Sequence, residues 1–95
     1  MPALLSVTIQ LKNPDKFKEY VAQVPATMAP HGAKMLARGK ISKMLSGEIP
    51  HQIEAVFEFP DEAALHAWHD SDAYQALVPL RQEAADMTLA IVEPF

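Results

Sequence analysis

The strongest constraint on this chain is the order in which its apolar periodicity changes. Leu5, Val7, Ile9 and Leu11 recur at every second position, with Leu4, Ser6, Thr8 and Gln10 between them. Such alternation builds a strand with one apolar face. After Asn13-Pro14 the period lengthens: Phe17, Tyr20, Val21 and Val24 are spaced i, i+3, i+4, i+7, the stripe of an amphipathic helix. Asn13 supplies the cap, and Pro14 suits the first helical position because its missing N–H has no partner there. Pro25 and Pro30 lack the interior N–H, so a kink or a second short turn is expected through Ala26–Ala29.

Gly32 then breaks the chain, and Ala33 to Arg38 reads as a second strand with Lys34, Leu36 and Arg38 on one face. Gly39 marks a bulge or close approach, with Ile41 to Leu45 extending the edge beyond it. A turn-rich loop, Ser46 to Pro50, leads to a third strand from Gln52 to Phe59. Asp61 caps a helix carrying Ala64, Leu65 and Trp68. Ser71 caps a short piece containing Tyr74, and a helix from Leu77 to Ala85 precedes a last strand, Met87 to Val92.

The resulting order, β-α-β-β-α-β, is that of a ferredoxin-like α+β sandwich with both helices on one face of the sheet. Residues 1–95 are read as a single ferredoxin-like domain. Leu4 lies opposite the main apolar face of its strand, and the last strand is apolar at almost every position. Both sheet faces therefore ask for cover, and a second copy packed sheet to sheet, a homodimer, is the simplest source.

Charge and composition exclude more than they assign. Eight Lys and Arg against twelve Asp and Glu, scattered without a basic stripe, argue against nucleic acid as partner, because phosphate contacts need concentrated positive charge. With no cysteine, disulfides, thiolate nucleophiles and thiolate metal sites are ruled out. The opening ten residues are too short and polar to span a membrane and carry no secretory leader pattern, so a cytoplasmic protein without membrane attachment is expected. Gly32, Gly39 and Gly47 form no phosphate-binding loop, and no cofactor is expected.

The chemistry-bearing residues are few. Arg38 offers five fixed donors for a carboxylate and would be costly to hold in a sheet pocket unpaired. Its alternative is an ion pair with Glu54 or Glu58. Arg81 could reach a cleft from the last helix, or form a surface salt bridge. Trp68 is a large anchor, and Tyr74 could present its hydroxyl to a cavity or tether the short helix. His51, in the loop before the third strand, and His31, before Gly32, could overhang a cavity as general bases near neutral pH. His66 and His69 are spaced as a metal pair on one helix, but no third ligand accompanies them, so no metal is expected. Glu54 and Glu58 share a strand face roughly 13 Å apart, too far to share a proton. Pro2 would become a terminal amine if Met1 were removed, as in tautomerases, but the rest of the chain does not follow their repeated β-α-β plan.

The ordered set Leu36-Ala37-Arg38-Gly39, Gly47-Glu48, Glu58-Phe59-Pro60, Trp68-x-x-Ser71-x-x-Tyr74 and Pro79-Leu80-Arg81 resembles domain of unknown function family 1330, within the dimeric α+β barrel superfamily. The resemblance runs from the first strand to Val92-Glu93 and implies a ferredoxin-like subunit whose sheet joins a partner's sheet to close a barrel. The wider superfamily includes cofactor-free monooxygenases, haem-degrading enzymes, dehydratases, muconolactone isomerases and ligand-sensing domains. That range of activities assigns none to this chain; the candidate residues themselves give the expectation of a dimer binding a small organic acid near Arg38, with Arg81 and Trp68 also contacting the ligand. His51 and Tyr74 are the candidate catalytic groups for a cofactor-independent isomerase or lyase step. The alternatives are a non-catalytic sensing or structural dimer and a cofactor-free monooxygenase.

Overall fold

The computed structural model describes residues 1–95. Strand β1, Ala3–Leu11, runs through the middle of a four-stranded antiparallel sheet. Helix α1, Pro14–Met28, follows, and a single 3-10 turn, Ala29–His31, leads to edge strand β2, Lys34–Lys40. Strand β3, Ile53–Phe59, pairs with both β1 and β2. Helices α2, Glu62–Asp70, α3, Asp72–Gln75, and α4, Val78–Ala84, precede β4, Ala85–Val92, which lies on the other side of β1. The strand order is β2-β3-β1-β4, as the ferredoxin-like reading requires.

The capping chemistry is formed as expected. Asn13 accepts from the Lys16 amide, Asp61 from that of Ala64 and Ser71 from that of Tyr74, each satisfying an amide the helix cannot. Alternation in β1 sets which face is covered. Ala3, Leu5, Val7 and Ile9 are buried, and the core continues into Tyr20, Val24 and Met28 of α1 and Leu65 and Trp68 of α2. Gly32 turns the chain into β2 with φ +73°, and a Cβ there would come within 2.8 Å of the Pro60 ring. That backbone region and that proximity both call for glycine.

Three local expectations are corrected. The short turn expected through Ala26–Ala29 comes later: α1 runs past Pro25 to Met28, and the 3-10 turn occupies Ala29–His31. The proline sits one turn from the end, so only one intrahelical bond is forgone, and tight 3-10 geometry finishes the helix. Ile41 to Leu45 forms no strand, although the Ile41 amide still donates to the Gln52 carbonyl. The bulge lies between Met35 and Ala37, not at Gly39.

The expected dimeric α+β barrel is also overturned. The sheet is open, with β2 and β4 as separate edges. Closure by a partner's sheet is the expectation, but the four strands form one layer in which β2 pairs only with β3 and β4 only with β1, so the ladder ends at both sides instead of running on into a barrel. The molecule measures 34 × 32 × 16 Å, the shape of one sheet and one helical layer.

Candidate functional site

In-register neighbours share a sheet face, which places every strand residue. Leu5, Val7 and Ile9 pair with Phe57, Ala55 and Ile53, so those three also face the helices. On β2 the register reads Met35↔Phe57, then Ala37↔Val56 and Arg38↔Ala55, with Leu36 as the extra residue. The bulge therefore reverses the alternation after Leu36. Arg38 shares the helix-facing side with Met35, not with Lys34 and Leu36 as a regular strand would have it. Glu54 and Glu58, its expected partners, lie on the opposite face beside Thr8 and Leu4. None of the four ion pairs, Lys12–Asp86, Lys16–Glu83, His66–Glu62 and His69–Asp70, involves Arg38.

Arg38 stands at the rim of a cavity of about 280 Å³ between the sheet and α1. Sixteen of its eighteen lining residues are hydrophobic, and Arg38 is the single charged one. Ala29, Ala33 and Ala55 contribute only methyl groups to its wall, beside larger side chains such as Leu5, Val24, Met28 and Phe57. Met35 and Arg38 belong to the exposed edge strand, so the space reaches solvent there.

Behind the cavity lies a chain of polar groups. Arg81 Nη1 donates to Tyr74 Oη at 3.0 Å, and Tyr74 Oη is 2.7 Å from Tyr20 Oη. Tyr74 is 0% exposed and lies outside the cavity wall, whereas Tyr20 forms part of that wall. Burial, more than the neighbouring Tyr74, pushes the Tyr20 hydroxyl well above the usual tyrosine range. Trp68 packs against Tyr74 with ring centroids 4.2 Å apart and the planes tilted by 44°, and its indole Nε1 donates to Thr27 Oγ1, which in turn donates to the Val24 carbonyl. Every buried polar side-chain atom here has a partner.

Of the residues singled out from sequence, Arg38 and Trp68 line the cavity, while Tyr74 and Arg81 stand behind it. His51 does not overhang it. Its Nδ1 lies 2.8 Å from Thr8 Oγ1, on the far sheet face, and it borders a separate polar cleft with Lys12, Arg81 and Asp86. His66 and His69 each have an acidic neighbour of their own, and no group of three or more His, Asp or Glu could hold a metal. Tyr20 was read from sequence only as one more apolar position of the α1 stripe. Its partner is 54 residues away in the chain, so helical spacing carried no sign of the hydroxyl's role.

Over residues 2–95 the sequence matches the family described as domain of unknown function DUF1330. The chain belongs to this family. No curated protein matches it. Among solved structures, this DUF1330 chain is similar to a protein of unknown function from Rhodopseudomonas palustris, with 21% identity, a TM-score of 0.81, and coverage of 99% of this chain and 82% of that one. A dimeric ferredoxin-like protein of unknown function from a Jannaschia species has 14% identity and a TM-score of 0.78, with 99% and 100% covered. A mutant of SnoaB, a cofactor-independent oxygenase from Streptomyces nogalater, has 8% identity and a TM-score of 0.72, with 98% and 92% covered. These likenesses establish the ferredoxin-like fold of the DUF1330 chain. No helix is long and apolar enough to cross a membrane.

Proposed function

We propose that the protein binds a small, partly apolar organic acid in the cavity between sheet and helices, with the carboxylate held by Arg38. The observation that carries this reading is the unpaired guanidinium at the rim of an otherwise apolar wall. A guanidinium there offers planar, bidentate recognition of a carboxylate. Apolar cavities of about 150 Å³ already take a benzene-sized molecule, so 280 Å³ accommodates a ring or short chain with a polar end. Arg38 and Tyr20 are the only ionisable groups in the wall, and Tyr20 holds its proton. Neither is a ready general base, which favours binding over an isomerase or lyase step.

The test is a thermal-shift screen of small aryl and alkyl carboxylic acids. A matching acid is expected to raise the Tm of wild type by several degrees. Arg38→Ala should weaken it roughly 10- to 100-fold, the usual worth of a charge-assisted contact. If no acid shifts wild type while Arg38→Ala melts markedly lower, Arg38 is structural and the reading is lost.

Two copies of the chain are further proposed to pack through the open sheet face. The Jannaschia relative described as dimeric supports this assembly, as does the partly apolar character of the face. Oxygenation of an aromatic ligand without a cofactor is the second reading. It draws on the ring-sized cavity with a polar group at its wall, and SnoaB, of the same fold, is described as such an oxygenase.

A further inference from the structure

The hydrogen-bond count behind the cavity does not close. Three donors meet at Tyr20 and Tyr74: an Arg81 N–H and two phenolic O–H groups. A guanidinium cannot accept, so the Arg81 bond runs into Tyr74 Oη. The contact between the two tyrosines then uses one phenolic proton, and the other has no acceptor, because neither hydroxyl makes any further hydrogen bond.

Which proton is left over follows from burial. If Tyr20 donated to Tyr74, the Tyr74 proton would be stranded in a fully closed interior, since Tyr74 is 0% exposed and outside the cavity wall. A buried donor without a partner is the costlier arrangement. If Tyr74 donates to Tyr20, the spare proton belongs to the tyrosine of the cavity wall, where a ligand oxygen can accept it. Arg81 favours this second direction, because donation into Tyr74 Oη strengthens Tyr74 as a donor to its neighbour.

We propose that the Tyr20 hydroxyl is the second polar contact of the cavity, a hydrogen-bond donor aimed by Arg81 through Tyr74. The ligand class is then narrower than an organic acid. It is an acid with an apolar body and a second acceptor oxygen, such as a ketone, set apart from the carboxylate. This rests on the acid-binding reading above. Burial keeps Tyr20 protonated, so it acts as a neutral donor, and Arg81 and Tyr74 are positioning residues.

Matched pairs of acids test it. Affinities of 4-oxo-4-phenylbutanoate and 5-oxo-5-phenylpentanoate are measured by calorimetry against 4-phenylbutanoate and 5-phenylpentanoate. At least one oxo acid should bind wild type roughly three- to tenfold more tightly than its partner, the usual worth of one neutral hydrogen bond. In Tyr20→Phe that ratio should fall to about one, and in Arg81→Met it should fall part way. Circular dichroism and a thermal melt establish that each variant is folded. A purely structural tyrosine would lower both affinities together and leave the ratio standing, which overturns the proposal. So does a ratio near one in wild type. If both kinds of acid bind wild type equally and both are lost in Arg38→Ala, the acid site stands and only the role of Tyr20 falls. If no acid binds at all, both fall.

Discussion

Tyr20 ties its protonation state to the stability of the fold. Burial is the main reason its hydroxyl resists ionisation, with Tyr74 adding to the effect and Arg81 acting weakly the other way. In the unfolded chain the same hydroxyl titrates near pH 10. The folded-state pKa is raised, so the stabilisation is fully present below about pH 10 and is lost as pH rises above it. Denaturant melts across pH 8 to 11.5 should show a decline beginning near pH 10, and Tyr20→Phe should flatten it. An equally steep decline in that variant would show that other groups cause it. At this scale the sequence was informative about residue type and poor about surroundings. Arg38 stood out because a guanidinium on a strand needs a partner or a ligand. The absence of an ion pair to Glu54 or Glu58 became visible only with the register of β2 on β3.

Strands and helices were legible wherever local chemistry acts alone. The caps at Asn13, Asp61 and Ser71 are set by residues within four positions. The bulge in β2 was not legible, because every residue of that strand is exposed and no alternation marks a face. Its effect is nonetheless decisive, since one extra residue turns Arg38 from the open face to the cavity. Removing that residue offers a test. With Leu36 deleted, Met35↔Phe57, Ala37↔Val56 and Arg38↔Ala55 become a regular antiparallel ladder, and Arg38 keeps its face. Leu36 is 49% exposed, so little core is lost. The deletion variant should therefore keep the acid-induced rise in Tm. In an Arg38→Ala background, Ala37→Arg should not restore that rise, because position 37 faces away. Restoration by Ala37→Arg, or loss of the shift in a folded deletion variant, would contradict this account of the strand.

The whole molecule is a slab with one finished side. Element order alone implied a four-stranded sheet with both helices on one face, but order says nothing about whether edges meet, and here they do not. Across the uncovered face, paired positions form rows. Ala37, Val56, Ser6 and Ala90 make a central row of small side chains, flanked on one side by Lys34, Glu58, Leu4 and Val92. A low central row lets a second sheet approach closely, and a two-fold axis there would set the same rows against each other. The face is broad enough, within a 34 × 32 Å outline, to bury the ~800 Å² per partner of a standard interface. Light scattering at micromolar concentration should return about 21 kDa, twice the 10.5 kDa chain. Ser6→Lys places a charge at the centre of the face and, under two-fold symmetry, against its own copy. It should shift the mass to that of a monomer while circular dichroism shows an unchanged fold, because buried like charges cost several kcal/mol. A monomeric wild type would remove the interface. A Ser6→Lys dimer of undiminished affinity would move it elsewhere, leaving the open face to water. Because the cavity lies on the helix side of the sheet, acid binding should survive in the monomer, and its loss there would tie the site to the assembly.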